Sequence, residues 1–220
     1  MTLSDAQLIE ATIDFVKTEL QHAEGGHDWF HIERVYKNTL LIAKHENVDL
    51  TIVSLAALLH DIADSKFHNG DETIGPRVAS TFLLKHNVDS EIIEHVTQII
   101  ENMSFKNSFD LNPSFSSKEM EVVQDADRLD AIGAIGIARC FNYGGFKDRP
   151  LYNPEIPPNL NMTKAEYKAA SAPTINHFYE KLLLLKDQMH TKTGKQISLE
   201  RHKYMEGFLK QFYAEWEGKK

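Results

Sequence analysis

The sequence predicts an all-α protein, a single-domain helical bundle over residues 1–220. Apolar residues recur at helical spacing along nearly the whole chain, and helix-opening polar residues stand before the apolar runs. No strand-like alternation, internal repeat or low-complexity run interrupts them. With 220 residues, 42% of them hydrophobic and 25% charged, the chain is long and apolar enough to bury a substantial core.

The elements follow in order. Ser4 with Gln7 reads as a capping box that opens an amphipathic helix through Leu8, Ile13, Val16 and Leu20, stopping before Gly25 and Gly26. Asp28 reads as the N-cap of a second helix running through Val35, Leu40 and Ile42 towards His45. Thr51 is expected to cap a third, strongly apolar helix that ends in His60 and Asp61. A polar loop from Ser65 to Asp71 leads to a fourth helix through Val78, Phe82 and Leu83, with Pro76 tolerated in its first turn. Asp89 opens a fifth through Ile93, Val96 and Ile100, and Phe105 to Ser117 reads as a loop.

A long sixth helix is expected from about Lys118 through Asp127 and on to Ile137. Gly133 and Gly136 cost helix propensity there, which points to another helix crossing very close. The stretch from Gly144 to Pro173 holds five of the seven prolines and, outside Lys164 to Ala170, few helical signals, so it reads as a long loop: a lid, an interface arm or a disordered segment. Two closing helices, Thr174 to about His190 and Ile197 to Trp216, are expected to pack as a C-terminal extension over about 174–217. Their aromatic residues, among them Phe178, Phe208, Phe212 and Trp216, are expected to face the bundle rather than a dimer partner; monomer and homodimer stay open.

Charge and cysteine use narrow the function classes. The formal net charge of −8 gives no push towards DNA, RNA or anionic lipid. Cys140 is alone and cannot form an internal disulfide, and neither a leader-like N-terminus nor an apolar run of about 20 residues is visible. The expectation is a cytoplasmic protein with no membrane and no nucleic-acid polymer as partner.

The chemistry concentrates in a few residues. His60 and Asp61 emerge from a segment expected to be buried, where a carboxylate needs a partner or a cation. Neutral imidazole with carboxylate suits Mn, Fe, Ni, Co or Zn and, less well, Mg. His31 sits in the first turn of the second helix and Asp127 in mid-helix between Ala126 and Leu129. Three helices would thus supply two imidazoles and two carboxylates, leaving positions on an octahedral ion for water and substrate. Each residue alone has a plainer reading, as a helix cap or part of a solvated face; the joint order of His31, His60-Asp61 and Asp127 is what favours a metal. Asp125 is expected to be solvated or salt-bridged, and Asp130 to stand behind Asp127. His22, His45, His68, His86, His95, His177, His190 and His202 read as structural or surface groups, with His95, in mid-helix, the one left open as an extra ligand.

That order resembles the HD-domain superfamily of metal-dependent phosphohydrolases, an all-helical family named for its His-Asp pair. More narrowly the chain resembles the YpgQ/YedJ-type subgroup. The resemblance rests on the runs His27 to Val35, Leu59 to Asp64, Met103 to Lys106 and Val123 to Gly133, and continues through Asn176 to Lys186. It implies that His31, His60, Asp61 and Asp127 are the metal ligands. It also implies a nucleotide pyrophosphohydrolase that cleaves a (d)NTP to (d)NMP and pyrophosphate, with Mn²⁺ the favoured ion.

Residue chemistry by itself reaches only a metal-dependent phosphoester or phosphoanhydride hydrolase. Asp64, three residues beyond Asp61, is the candidate for orienting or deprotonating the attacking water; its plainer reading is a helix-end cap or a partner for Lys66. Lys66 and Lys106 are candidate phosphate contacts, and His27 a candidate substrate contact that the subgroup resemblance favours. The competing functions are a nucleotidase, a cyclic-nucleotide phosphodiesterase, or a non-catalytic helical module that binds a nucleotide or a partner.

Overall fold

A computed structural model describes residues 3–21, 23, 28–63, 71, 73–103, 115–162 and 171–220. Among them are nine α-helices and one 3₁₀ helix, and no strand. None of these helices is long and apolar enough to cross a membrane. The chain forms two compact units, Met1–Ala126 and Asp127–Lys220.

The first unit holds α1 (Asp5–Glu19), α2 (Trp29–Ala43), α3 (Leu50–Leu59), α4 (Ile74–Lys85), α5 (Ser90–Asn102) and most of α6 (Lys118–Asp130). The Ser4–Gln7 capping box is present at α1, and Asp28 and Asp89 cap α2 and α5 through their side chains. At α3 the cap is Asp49 rather than Thr51. The Asp49 carboxylate accepts from both Thr51 N (2.8 Å) and Ile52 N (3.0 Å), satisfying two orphan amides where a hydroxyl would satisfy one. Thr51 is inside the helix and its hydroxyl donates to Asp5 (3.0 Å).

Helix α3 is the core of this unit. Every residue from Ile52 to Leu59 is buried, and α1, α2 and α5 pack around it. Val16 of α1, Ile32, Val35 and Ile42 of α2 and Val96 and Ile99 of α5 are fully enclosed with it. Each such side chain is worth about 1.5–3 kcal/mol of apolar burial. The helix that presents His60 is therefore held on all sides.

The long helix expected from Lys118 to Ile137 is two helices. Helix α6 ends at Asp130, Ile132 is extended (φ −128, ψ 167), and α7 (Gly133–Phe146) begins at a glycine with φ +76. The close approach inferred from the small residues is real: a Cβ on Gly133 would stand 3.0 Å from the Arg201 side chain.

In the second unit the first closing helix is shorter than its pattern. It runs as α8 (Asn176–Glu180), breaks at Lys181 (φ −144, ψ −59) and continues as a 3₁₀ helix, Leu182–Gln188. The last, α9 (Lys192–Trp216), starts five residues earlier than expected because Thr191 caps it, its hydroxyl accepting from Gly194 N (2.9 Å). Phe178 stacks on Phe208, with Phe141 against both. Residues 147–162 of the proline-rich stretch are tied down, since Thr174 N and Ile175 N donate to Pro150 O and Leu151 O and Asn176 Nδ2 donates to Ile156 O. The helical signal at Lys164 to Ala170 lies outside the described residues.

Candidate metal centre

His31 is the third residue of α2, and the Asp28 cap accepts its backbone N–H (3.1 Å). A side chain leaving a helix in its first turn on the core side is enclosed by the neighbouring helix; His31 is 1% exposed. His60 closes α3 and is likewise buried. Its Nδ1 lies 2.9 Å from the Ala57 carbonyl oxygen. A carbonyl only accepts, so Nδ1 carries the proton and Nε2 presents a lone pair. This is the second contact that commonly orients a metal-binding imidazole.

The two rings meet edge to face, with centroids 5.3 Å apart. The Asp61 carboxylate completes the turn: its Oδ2 lies 3.7 Å from His31 Nε2 and 3.8 Å from His60 Nε2. The third contributor is Asp127 on α6. One ligand atom from each of His31, His60 and Asp127 falls within 4.8 Å of the other two. The position of α6 has a visible cause in the residue before it. Asn38, two turns along α2 from His31, donates to the Ala126 carbonyl (3.3 Å), so the helix carrying His31 also grips the helix carrying Asp127.

These residues fit a divalent ion by the chemistry of their donors. The donor atoms of His31, His60 and Asp127 lie within 4.8 Å of one another, near enough for one ion to draw them in. Two neutral imidazoles and two carboxylates carry two negative charges, which a divalent cation balances. Asp61 is 31% exposed, so the site opens to solvent on that side.

The structure thus brings His31, His60 and Asp127 together and sets Asp61 against both imidazoles. His27, Asp64, Lys66 and Lys106 lie outside the described residues. His95 is occupied elsewhere: its Nε2 is 2.9 Å from Ser117 Oγ, at the start of α6, and 3.7 Å from Glu119. Asp125 is fully buried, which excludes the solvated alternative of the two expected of it and leaves the salt-bridged one. Asp130 is also buried and pairs with Arg139 (2.8 Å). Asn38 escaped the sequence reading. Its one signal is its seven-residue spacing from His31, which puts both on one face of α2.

Comparison with known proteins gives the family. The HD domain matches residues 29–132, the span from the start of α2 to the end of α6. The YpgQ protein of Bacillus subtilis is 38% identical over 206 residues, covering 93% of this chain and 91% of the relative. An HD-superfamily hydrolase from Bacillus thuringiensis superposes with a TM-score of 0.77 at 44% identity, covering 97% of this chain and 99% of that one. Bacillus subtilis YpgQ, solved in complex with ADP, gives a TM-score of 0.77 at 33% identity and 97% coverage of each chain. With a family match over the helices that bear the site and relatives of this identity along nearly its whole length, the chain belongs to the HD-domain superfamily of metal-dependent phosphohydrolases, in its YpgQ-type branch.

Proposed function

We propose that this protein is a nucleotide pyrophosphohydrolase that splits a (deoxy)nucleoside triphosphate into the monophosphate and pyrophosphate, with Mn²⁺ as the working ion. The observation that carries the reading is the convergence of His31, His60 and Asp127, with Asp61 against both rings. The ADP bound by the relative supports a nucleotide as ligand.

When bound, a divalent ion supplies a Lewis acid for phosphoryl oxygens and brings the ionisation of water near neutral pH. The chain's own residues do the rest. His60 is held in the tautomer that binds metal by the Ala57 carbonyl, and Asp28 and Asn38 hold the helices of His31 and Asp127. Asp64 is proposed to orient the attacking water and take its proton. Lys66, Lys106 and His27 are proposed to hold the phosphates and the nucleotide. Water oxygen bonds to the α-phosphorus, the bond from that phosphorus to the α–β bridging oxygen breaks, and pyrophosphate departs with the electron pair.

Incubation of a panel of (d)NTPs with Mn²⁺, scored by product, tests this. Pyrophosphate with the monophosphate is expected; orthophosphate release would instead make the protein a phosphatase. Asp61→Ala is expected to reduce turnover to the level seen without added ion while leaving the circular dichroism of the helices intact. Full turnover in that variant would remove the metal centre from the reaction.

A further inference from the structure

The last turn of α6, which carries Asp127, is gripped by three arginines within the second unit. Arg128 Nη1 donates to Gln188 O (2.6 Å) and Arg139 pairs with buried Asp130 (2.8 Å). Arg201, halfway along α9, donates through Nη1 to the carbonyl oxygen of Leu129, two residues beyond Asp127.

The third contact has a particular character. Leu129 is fully buried, and its carbonyl belongs to the last turn of α6, beyond the reach of any N–H inside the helix. Apart from Arg201 it receives the Ile132 N–H, just past the helix end, at 3.3 Å. The helix ends there because Ile132 is extended and Gly133 adopts φ +76. The missing side chain of Gly133 makes room for the Arg201 stem, whose Cβ, Cγ and Cδ would all lie within 3.2 Å of a Cβ at that position. Burial lowers the Arg201 pKa, with Asp130 opposing the change, so the guanidinium is partly desolvated and its hydrogen bond little diluted by water.

We infer that Arg201 is a positioning residue for the metal centre. By closing the α6 C-terminus through Leu129 O beside the Gly133 bend, it fixes the turn from which Asp127 reaches the site. The last helix, far along the chain from the His-Asp pair, thereby sets divalent-ion affinity. The inference rests on the metal-binding reading of His31, His60, Asp61 and Asp127.

The test compares wild type with Arg201→Met and Arg201→Lys. Methionine keeps an aliphatic stem beside Gly133 and loses every donor, whereas lysine keeps a charged donor group. Mn²⁺ binding is read directly by electron paramagnetic resonance of the free ion, without substrate, and thermal midpoints are recorded in parallel. Arg201→Met is expected to weaken Mn²⁺ binding by roughly 10- to 100-fold, as loss of groups behind a ligand does, and Arg201→Lys to recover part of it. Unchanged affinity in Arg201→Met, with only a lower thermal midpoint, would make Arg201 a purely structural residue and overturn the inference. Absence of Mn²⁺ binding in wild type would overturn the inference and the metal reading together, so the two failures are distinguishable.

Discussion

His177 shows how burial acts on a single side chain. Packed at the start of α8, it has its pKa lowered from 6.5 to about 3, first by burial and then by the nearby charges of Lys181 and Arg149. The folded protein therefore holds His177 neutral where the unfolded chain binds a proton. Between the ordinary value and about 3, the unfolded state carries more protons, so stability falls as pH is lowered through that window. The loss is at most a few kcal/mol, since each tenfold change in proton affinity is worth about 1.4 kcal/mol. Thermal midpoints of the metal-free protein measured from pH 7 to pH 4 should fall less steeply in His177→Gln than in wild type. Equal slopes would show that other groups govern acid sensitivity. Single residues differed greatly in how well they could be read. His31, His60, Asp61 and Asp127 stood out as candidates through their joint order, each alone having a plainer reading, and the structure brings ligand atoms of His31, His60 and Asp127 within 4.8 Å of one another. Arg201 was not legible, because a guanidinium meeting a carbonyl 72 residues away leaves no periodic trace in the chain.

Among the elements, helix faces were more legible than helix ends. Apolar spacing located α1 to α5, since core contact imposes a period of 3.6 residues. Ends depend on one or two polar groups, and neighbouring residues of similar type compete. Asp49 displaced Thr51 as the cap of α3 because one carboxylate serves two amides. The α6–α7 bend was concealed by a helical pattern continuing on both sides of it, although Gly133 stood at the joint. Gly133→Ala meets two penalties there, a left-handed backbone and the stem of Arg201 at 3.0 Å. It is expected to cost about 1–2 kcal/mol or more in a denaturant titration. Gly145→Ala serves as a control, because a Cβ there meets nothing within 4 Å. Equal losses in the two variants would show that the bend is not under the constraint described.

At the scale of the molecule, the expectation of one domain over residues 1–220 meets a division into Met1–Ala126 and Asp127–Lys220. We propose that the two units unfold together, because the division falls inside α6 and a helix propagates its hydrogen bonds cooperatively across any such point. Calorimetry should record a single transition, with equal calorimetric and van't Hoff enthalpies. Two separated transitions would assign each unit its own folding equilibrium. All-helical class was legible and holds among the described residues, while the division was not legible, since no composition change or linker marks residue 126. The placement of that division also limits how the protein can be dissected. A fragment stopping at Ala126 would sever a helix one residue short of its aspartate and leave the carbonyl that Asn38 holds at a raw chain end. Exchanging tail segments between relatives therefore calls for a splice outside 118–130, with the aspartate inherited along with the helix that aims it.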